Sequence, residues 1–156
     1  MPIKKISFPP WEFKSINVCL EGVKTSKNRS SSLAIQQEFR DHMYKHLDSN
    51  YCYTDGSKMQ DKVGYAAILS FKKIKRALPK EANIFTAELM AIKDALDEIE
   101  QQEDNSWTIY SDSAVSLLAI KRYNPIHPNV QSIQEILHRI PQNKTIALYF
   151  VKSLAT

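Results

Sequence analysis

The stretch "YTDGSK", Tyr53 to Lys58, sets an acid and a glycine at the end of an apolar, β-favouring run. Asp is a poor strand residue, and Asp-Gly is a strong turn signal. Taken alone, these residues describe a turn at a strand end. The reading changes with two later stretches. "FTAELMAIKDAL" starts at Phe85, and "IYSDSAVSLLAI" starts at Ile109. Each adds one acid at an apolar boundary.

Helical spacing sorts the acids of the first of these stretches. At about 100° per residue, Phe85, Leu89, Ile92, Ala95, Leu96 and Ile99 share one arc. Glu88 lies inside that arc, whereas Asp94, Asp97, Glu98 and Glu100 lie off it. A buried charge is costly unless it is paired or bound to metal. A first-turn Glu can also serve a nearby amide. Asp112 ends the strand "SWTIYSD" and precedes a helix, where Asp is a good N-cap. Ser111 and Ser113 can cap as well, which leaves the Asp112 carboxylate for other work. Asp55 closes the first strand, Glu88 faces the sheet, and Asp112 closes the fourth strand. If strands one and four are neighbours, the three carboxylates meet. Such a cluster repels itself and calls for cations. Oxygen-only ligation suits Mg²⁺ or Mn²⁺, and two such ions about 4 Å apart clamp a phosphodiester during attack by water.

The rest of the chain supplies a frame for these acids. Residues 1–32 make a poor core: "FPPWEF" cannot be helix, and "KTSKNRSSS" reads as a polar linker. Ile35, Phe39, Met43 and Leu47 form a helical stripe over Leu33–Leu47. His42 and His46 have metal-ligand spacing there, but no third ligand completes the set. "NYCYTD" is a strand, "GSKMQDK" a hairpin loop, and "VGYAAILSF" a long apolar strand. "KKIKRALP" is a basic edge strand ended by Pro79. A helix follows over about Phe85–Gln102, then the strand "SWTIYSD". Helices "SAVSLLAIKRY" and "NVQSIQEILHRI" are stopped by Pro125 and Pro141, and "KTIALYFVK" is the last strand. The order β-β-β-α-β-α-α-β predicts an α/β domain with a mixed sheet and helices packed on it.

Composition narrows the class. The chain has 156 residues, 43% apolar and 24% charged, which suits one domain with a real core. No apolar run approaches a membrane span, and no apolar segment follows the first lysines as in a secretory signal. An intracellular monomer is the expectation. Cys19 and Cys52 are too few and too far apart for a disulfide framework or a zinc site. Net charge is +4, and it is segregated. Asp55–Lys80 holds seven basic and two acidic residues, and Glu81–Asp112 holds nine acidic and one basic. Lys72, Lys73, Lys75, Arg76, Lys121 and Arg122 are candidates for phosphate contact. A solubilising strand edge explains them equally well.

"YTDGSK", "FTAELMAIKDAL" and "IYSDSAVSLLAI" resemble the three core motifs of ribonuclease H domains. The variety is similar to that in non-LTR retrotransposon reverse transcriptases, and "PPWEF" with its polar spacer resembles their lead-in. The resemblance implies a five-stranded mixed sheet in order 3-2-1-4-5, and cleavage of the RNA strand of RNA–DNA hybrids with Mg²⁺ or Mn²⁺. It makes Asp55, Glu88 and Asp112 the catalytic, metal-holding acids. Gly56 and Ser57 fall on positions where the backbone approaches the substrate, and Ser113 follows the second Asp as in the family; Ser113 and, from their charge alone, Lys72, Lys73 and Arg76 complete the candidate substrate-binding set. Residues 1–47 form a lead-in and 48–156 the domain. The resemblance also implies a loop His and a fourth acid after the last strand. Neither occurs here: no Asp or Glu follows Glu135, and no His follows His138. The expectation is a C-terminally incomplete domain and impaired catalysis. The alternative is an inactive nucleic-acid-binding remnant of a retroelement.

Overall fold

The computed structural model describes residues 16–20, 37, 40, 41 and 49–152. The "FPPWEF" start and the polar linker lie outside them. So does the helix expected over Leu33–Leu47, apart from Gln37, Arg40 and Asp41, which are helical and exposed. The described elements are β1 (Val18–Cys19), β2 (Asn50–Met59), β3 (Lys62–Leu69), β4 (Lys73–Leu78), α1 (Ile84–Glu100), β5 (Ser106–Ser111), α2 (Ala114–Lys121), α3 (Pro128–Arg139) and β6 (Thr145–Phe150).

The strands form one mixed sheet in the order β1-β6-β5-β2-β3-β4. Counted from β2, the last five strands stand in the expected order 3-2-1-4-5. β3 runs antiparallel to β2 and β4, while β5 is parallel to β2 and β6. The sheet has six strands rather than five, because β1 adds parallel to β6. Leu148 N–H donates to Asn17 O at 2.8 Å. Ile16 is buried, with Val18 and Leu20 packed on the same core, so this stretch is more than a poor-core lead-in. A two-residue strand is too short to show a period.

The hairpin also differs from expectation. Asp55 does not close its strand; β2 continues to Met59, and the turn is only Gln60–Asp61, with Gln60 at φ 47°. What stops near Asp55 is the pairing with β5, whose last register pair is Thr54 with Ser111. Beyond it β2 is held by β3 alone, from Asp55–Ala66 to Met59–Lys62. Asp55 therefore stands where a parallel neighbour leaves off, which is an opening in the sheet.

Alternation fixes the two faces. Cys52, Ala67, Ile74, Ile109 and Leu148 join one core with Leu89, Ile92 and Leu96 of α1, Leu117 and Ile120 of α2, and Ile133 of α3. The stripe read on α1 is this buried face. Asn83 caps α1, its side-chain oxygen accepting Thr86 N–H at 2.8 Å. Lys144 closes the other end, its Nζ donating to Ile99 O at 2.8 Å and to Gln102 O. The opposite face of the sheet carries Tyr51, Tyr53, Tyr110 and Tyr149. Neighbouring rings in that row lie 5.5, 5.4 and 5.7 Å apart between centroids.

Candidate active site

Asp55, Glu88 and Asp112 come together. Each offers a carboxylate oxygen, and these oxygens all lie within 4.8 Å of one another. β2 presents Asp55, α1 presents Glu88 from its second turn, and Asp112 directly follows β5. Glu88 is only 6% exposed, so the acid inside the apolar arc does face the sheet. Asp112 is free of capping duty. Ser113 caps α2, its Oγ accepting Ser116 N–H at 3.2 Å, and Ser111 Oγ accepts Ser113 N–H at 3.1 Å.

The cluster is electrostatically strained. Burial pushes the Glu88 carboxyl up to about 8, the nearby Asp112 and Asp55 charges add to this, and the Gly56 amide opposes it. Burial also raises Asp112, with Asp55 contributing, and burial raises Asp55 against the Gly56 amide. Glu88 Oε2 and Asp112 Oδ1 are buried without a hydrogen-bond partner. A buried acceptor that lacks a donor is costly. All-oxygen donors with two orphaned atoms fit a hard divalent cation, and the three acids can hold one.

The other predicted site residues fall in different places. Gly56 serves packing: a Cβ there would lie 2.9 Å from the Glu88 backbone nitrogen and 3.1 Å from Ala87. Its lack of a side chain lets α1 approach β2 and bring Glu88 to Asp55. Ser57 is exposed, on the Asp55 face. Ser113 is engaged in the α2 cap and in a 2.7 Å contact with the Ser116 hydroxyl.

The basic run divides. Lys72 pairs with Glu98 at 2.7 Å, and Arg76 with Asp94 at 3.1 Å, both on α1. Tyr65 joins them, donating to Asp94 Oδ2 at 2.6 Å. Lys73 and Lys75 project to the opposite face, in register with Ile68 and Ala66. Lys121 and Arg122 are exposed at the end of α2. Sequence reasoning grouped the run as one patch and missed this split. Strand alternation from Ile74 was the available signal.

Fold and site together define a mixed α/β protein with a carboxylate centre able to hold metal at an opening between parallel strands. The RNase H family model matches residues 48–155, and the chain belongs to that family. A search of curated proteins finds no match. Among the described residues, no helix is long and apolar enough to cross a membrane.

Proposed function

We propose that the chain is a metal-dependent ribonuclease acting on the RNA strand of RNA–DNA hybrids. The observation that carries this is the triad of Asp55, Glu88 and Asp112 with its two orphaned buried oxygens, in a chain of the RNase H family. These three acids would hold Mg²⁺ or Mn²⁺. When bound, the divalent ions supply an activated water and neutralise charge on the phosphate. Gly56 keeps Glu88 and Asp55 in one place through close packing. Ser57, exposed two residues along the same face from Asp55, would read a ribose 2′-OH. The "DGS", "AEL" and "SDS" contexts support a ribonuclease H rather than an integrase-type core, and the "PPWEF" lead-in supports descent from a non-LTR retrotransposon reverse transcriptase. The chain works as an intracellular monomer in this reading.

A second reading has its own support. Exposed Lys62, Lys73 and Lys75 stand on the Asp55 face of the sheet and suit a polyanion whether or not it is cut. A hybrid-binding remnant without turnover fits this. Incubating the chain with an RNA–DNA hybrid in Mn²⁺ separates the two. Cleavage of the RNA strand that disappears in Glu88→Gln is the expected result. Binding without cleavage selects the remnant, and neither binding nor cleavage sinks both readings.

A further inference from the structure

The sheet face that bears Asp55 also bears an open groove along β2, β3 and β4. Ser57, Met59, Lys62, Gly64, Lys75 and Ala77 line it. Register explains the hollow. Ser57, Gly64 and Ala77 stand side by side across the three strands, and the next row is Asp55, Ala66 and Lys75. Glycine and alanine leave the floor low, while Lys62, Lys75 and Met59 rise from the rim. Gly64 could not be larger without cost, since a Cβ there would lie 3.0 Å from Arg76 O.

The groove is basic, and the row of residues that holds Asp55 lies next to its floor. Lys62, Lys75 and Arg76 line it against a single acid, Asp61. Arg76 is engaged by Asp94 on the other side of the sheet. Lys62 and Lys75 are exposed and take part in none of the ion pairs among the described residues. Lys75 lies two strands from Asp55 in one row, roughly 10 Å at ordinary strand spacing. A polyanion lying in the groove would thus continue from the metal-holding acids onto two unengaged ammonium groups.

We propose that this groove seats the sugar-phosphate backbone of the hybrid beyond the phosphate being cut. Lys75 and Lys62 contact phosphates, and the Ser57 hydroxyl contacts the sugar between them and Asp55. The inference rests on the hybrid-nuclease reading and adds where the strand runs. It also separates Lys75 from Lys72, which the α1 acids hold.

The test is hybrid binding as a function of salt, with Glu88→Gln throughout so that no strand is cut. A phosphate contact contributes about one unit to the slope of log affinity against log salt. Lys62→Gln with Lys75→Gln should lower the slope by about two and weaken binding evenly across sequences. Lys72→Gln should leave the slope unchanged. Both lysines are exposed, so a melting curve matching the parent shows that the variant is folded. If the parent binds hybrid and the double variant keeps its slope, the groove assignment is overturned while the nuclease reading stands. If the parent does not bind hybrid at all, both fall.

Discussion

Glu88 is the residue on which the site turns, and its titration has a definite sign. Its carboxyl is pushed to about 8 in the fold, against an ordinary value of 4.5. The folded protein therefore keeps a proton that the unfolded chain releases. Without metal, stability should fall as pH rises from about 4.5 to about 8, and Glu88 contributes no further loss above that. Asp55 and Asp112, also raised, act with the same sign from lower pH. Glu88→Gln removes the titrating group and keeps its shape. In chelator, the variant should melt higher than the parent at pH 8, and the gap should close at pH 4.5. A gap that does not change with pH would contradict this. Saturating Mn²⁺ should reverse the order, because only the parent gains binding energy in the folded state. Gly56 gives the second prediction. Gly to Ala in a strand usually stabilises. Here the new Cβ would meet the backbone of α1 at 2.9 Å, and backbone cannot swing aside. Gly56→Ala should cost about 1–3 kcal/mol, as overpacking does, and weaken Mn²⁺ binding. Urea unfolding reads the first effect and a metal titration the second.

At the scale of elements, α2 and α3 depend on one buried amide. Gln134 Nε2 donates to Ile120 O at 2.8 Å and Arg122 O at 2.6 Å. These carbonyls belong to the end of α2, where a helix has no internal donors left. Gln131 Nε2 similarly donates to Pro125 O at 2.9 Å. Gln134→Ala would leave two carbonyls without this donor and open a small void. It should destabilise by about 1–3 kcal/mol, measurable by thermal melting, with little change in Mn²⁺ affinity, since the triad is borne by other elements. Nothing in "NVQSIQEILHRI" marked Gln134 as a clasp, because its partners are fixed only by how two helices pack. β1 escaped for the same reason: two residues show no period, and its partner β6 lies far along the chain. The acids were legible because each rests on a local signal. Glu88 sat within an apolar helical arc, and Asp112 had serines on both sides to cap in its place. Asp55 was found for a partly mistaken reason, since "DG" marked a turn and the strand runs on to Met59. The true break there is in the pairing with β5, which no short window of sequence displays.

Across the whole molecule, the segregated charge has a structural use that limits its functional one. The basic segment ending at Lys80 and the acidic segment after it fold against each other. Arg76–Asp94 and Lys72–Glu98 join β4 to α1, and Arg139–Glu100 joins α3 to α1 at 2.7 Å. Exposed pairs of this kind add little stability each. They do remove two of the basic residues from the set that can meet a phosphate backbone, leaving Lys62, Lys73 and Lys75 on the Asp55 face. The same accounting applies to the acids. Among the described residues the site assembles three carboxylates. Asp55, Glu88 and Asp112 would hold the divalent ions, which would activate water and neutralise charge on the phosphate. Glu88→Gln removes one of the three. Charge stabilisation missing at a single oxygen costs about 10²–10³ in rate, by analogy with single oxyanion donors. Mg²⁺ demands near-ideal octahedral ligation, so the loss should be greater in Mg²⁺ than in Mn²⁺. The expected outcome is cleavage of the RNA strand by the parent and a loss of at least that size in Glu88→Gln, larger in Mg²⁺. Single-turnover assays on a labelled hybrid measure both. Cleavage by Glu88→Gln at the parent's rate would overturn the deduction. The salt dependence of the parent's cleavage would then show whether the groove at Lys62 and Lys75 delivers the strand to the triad.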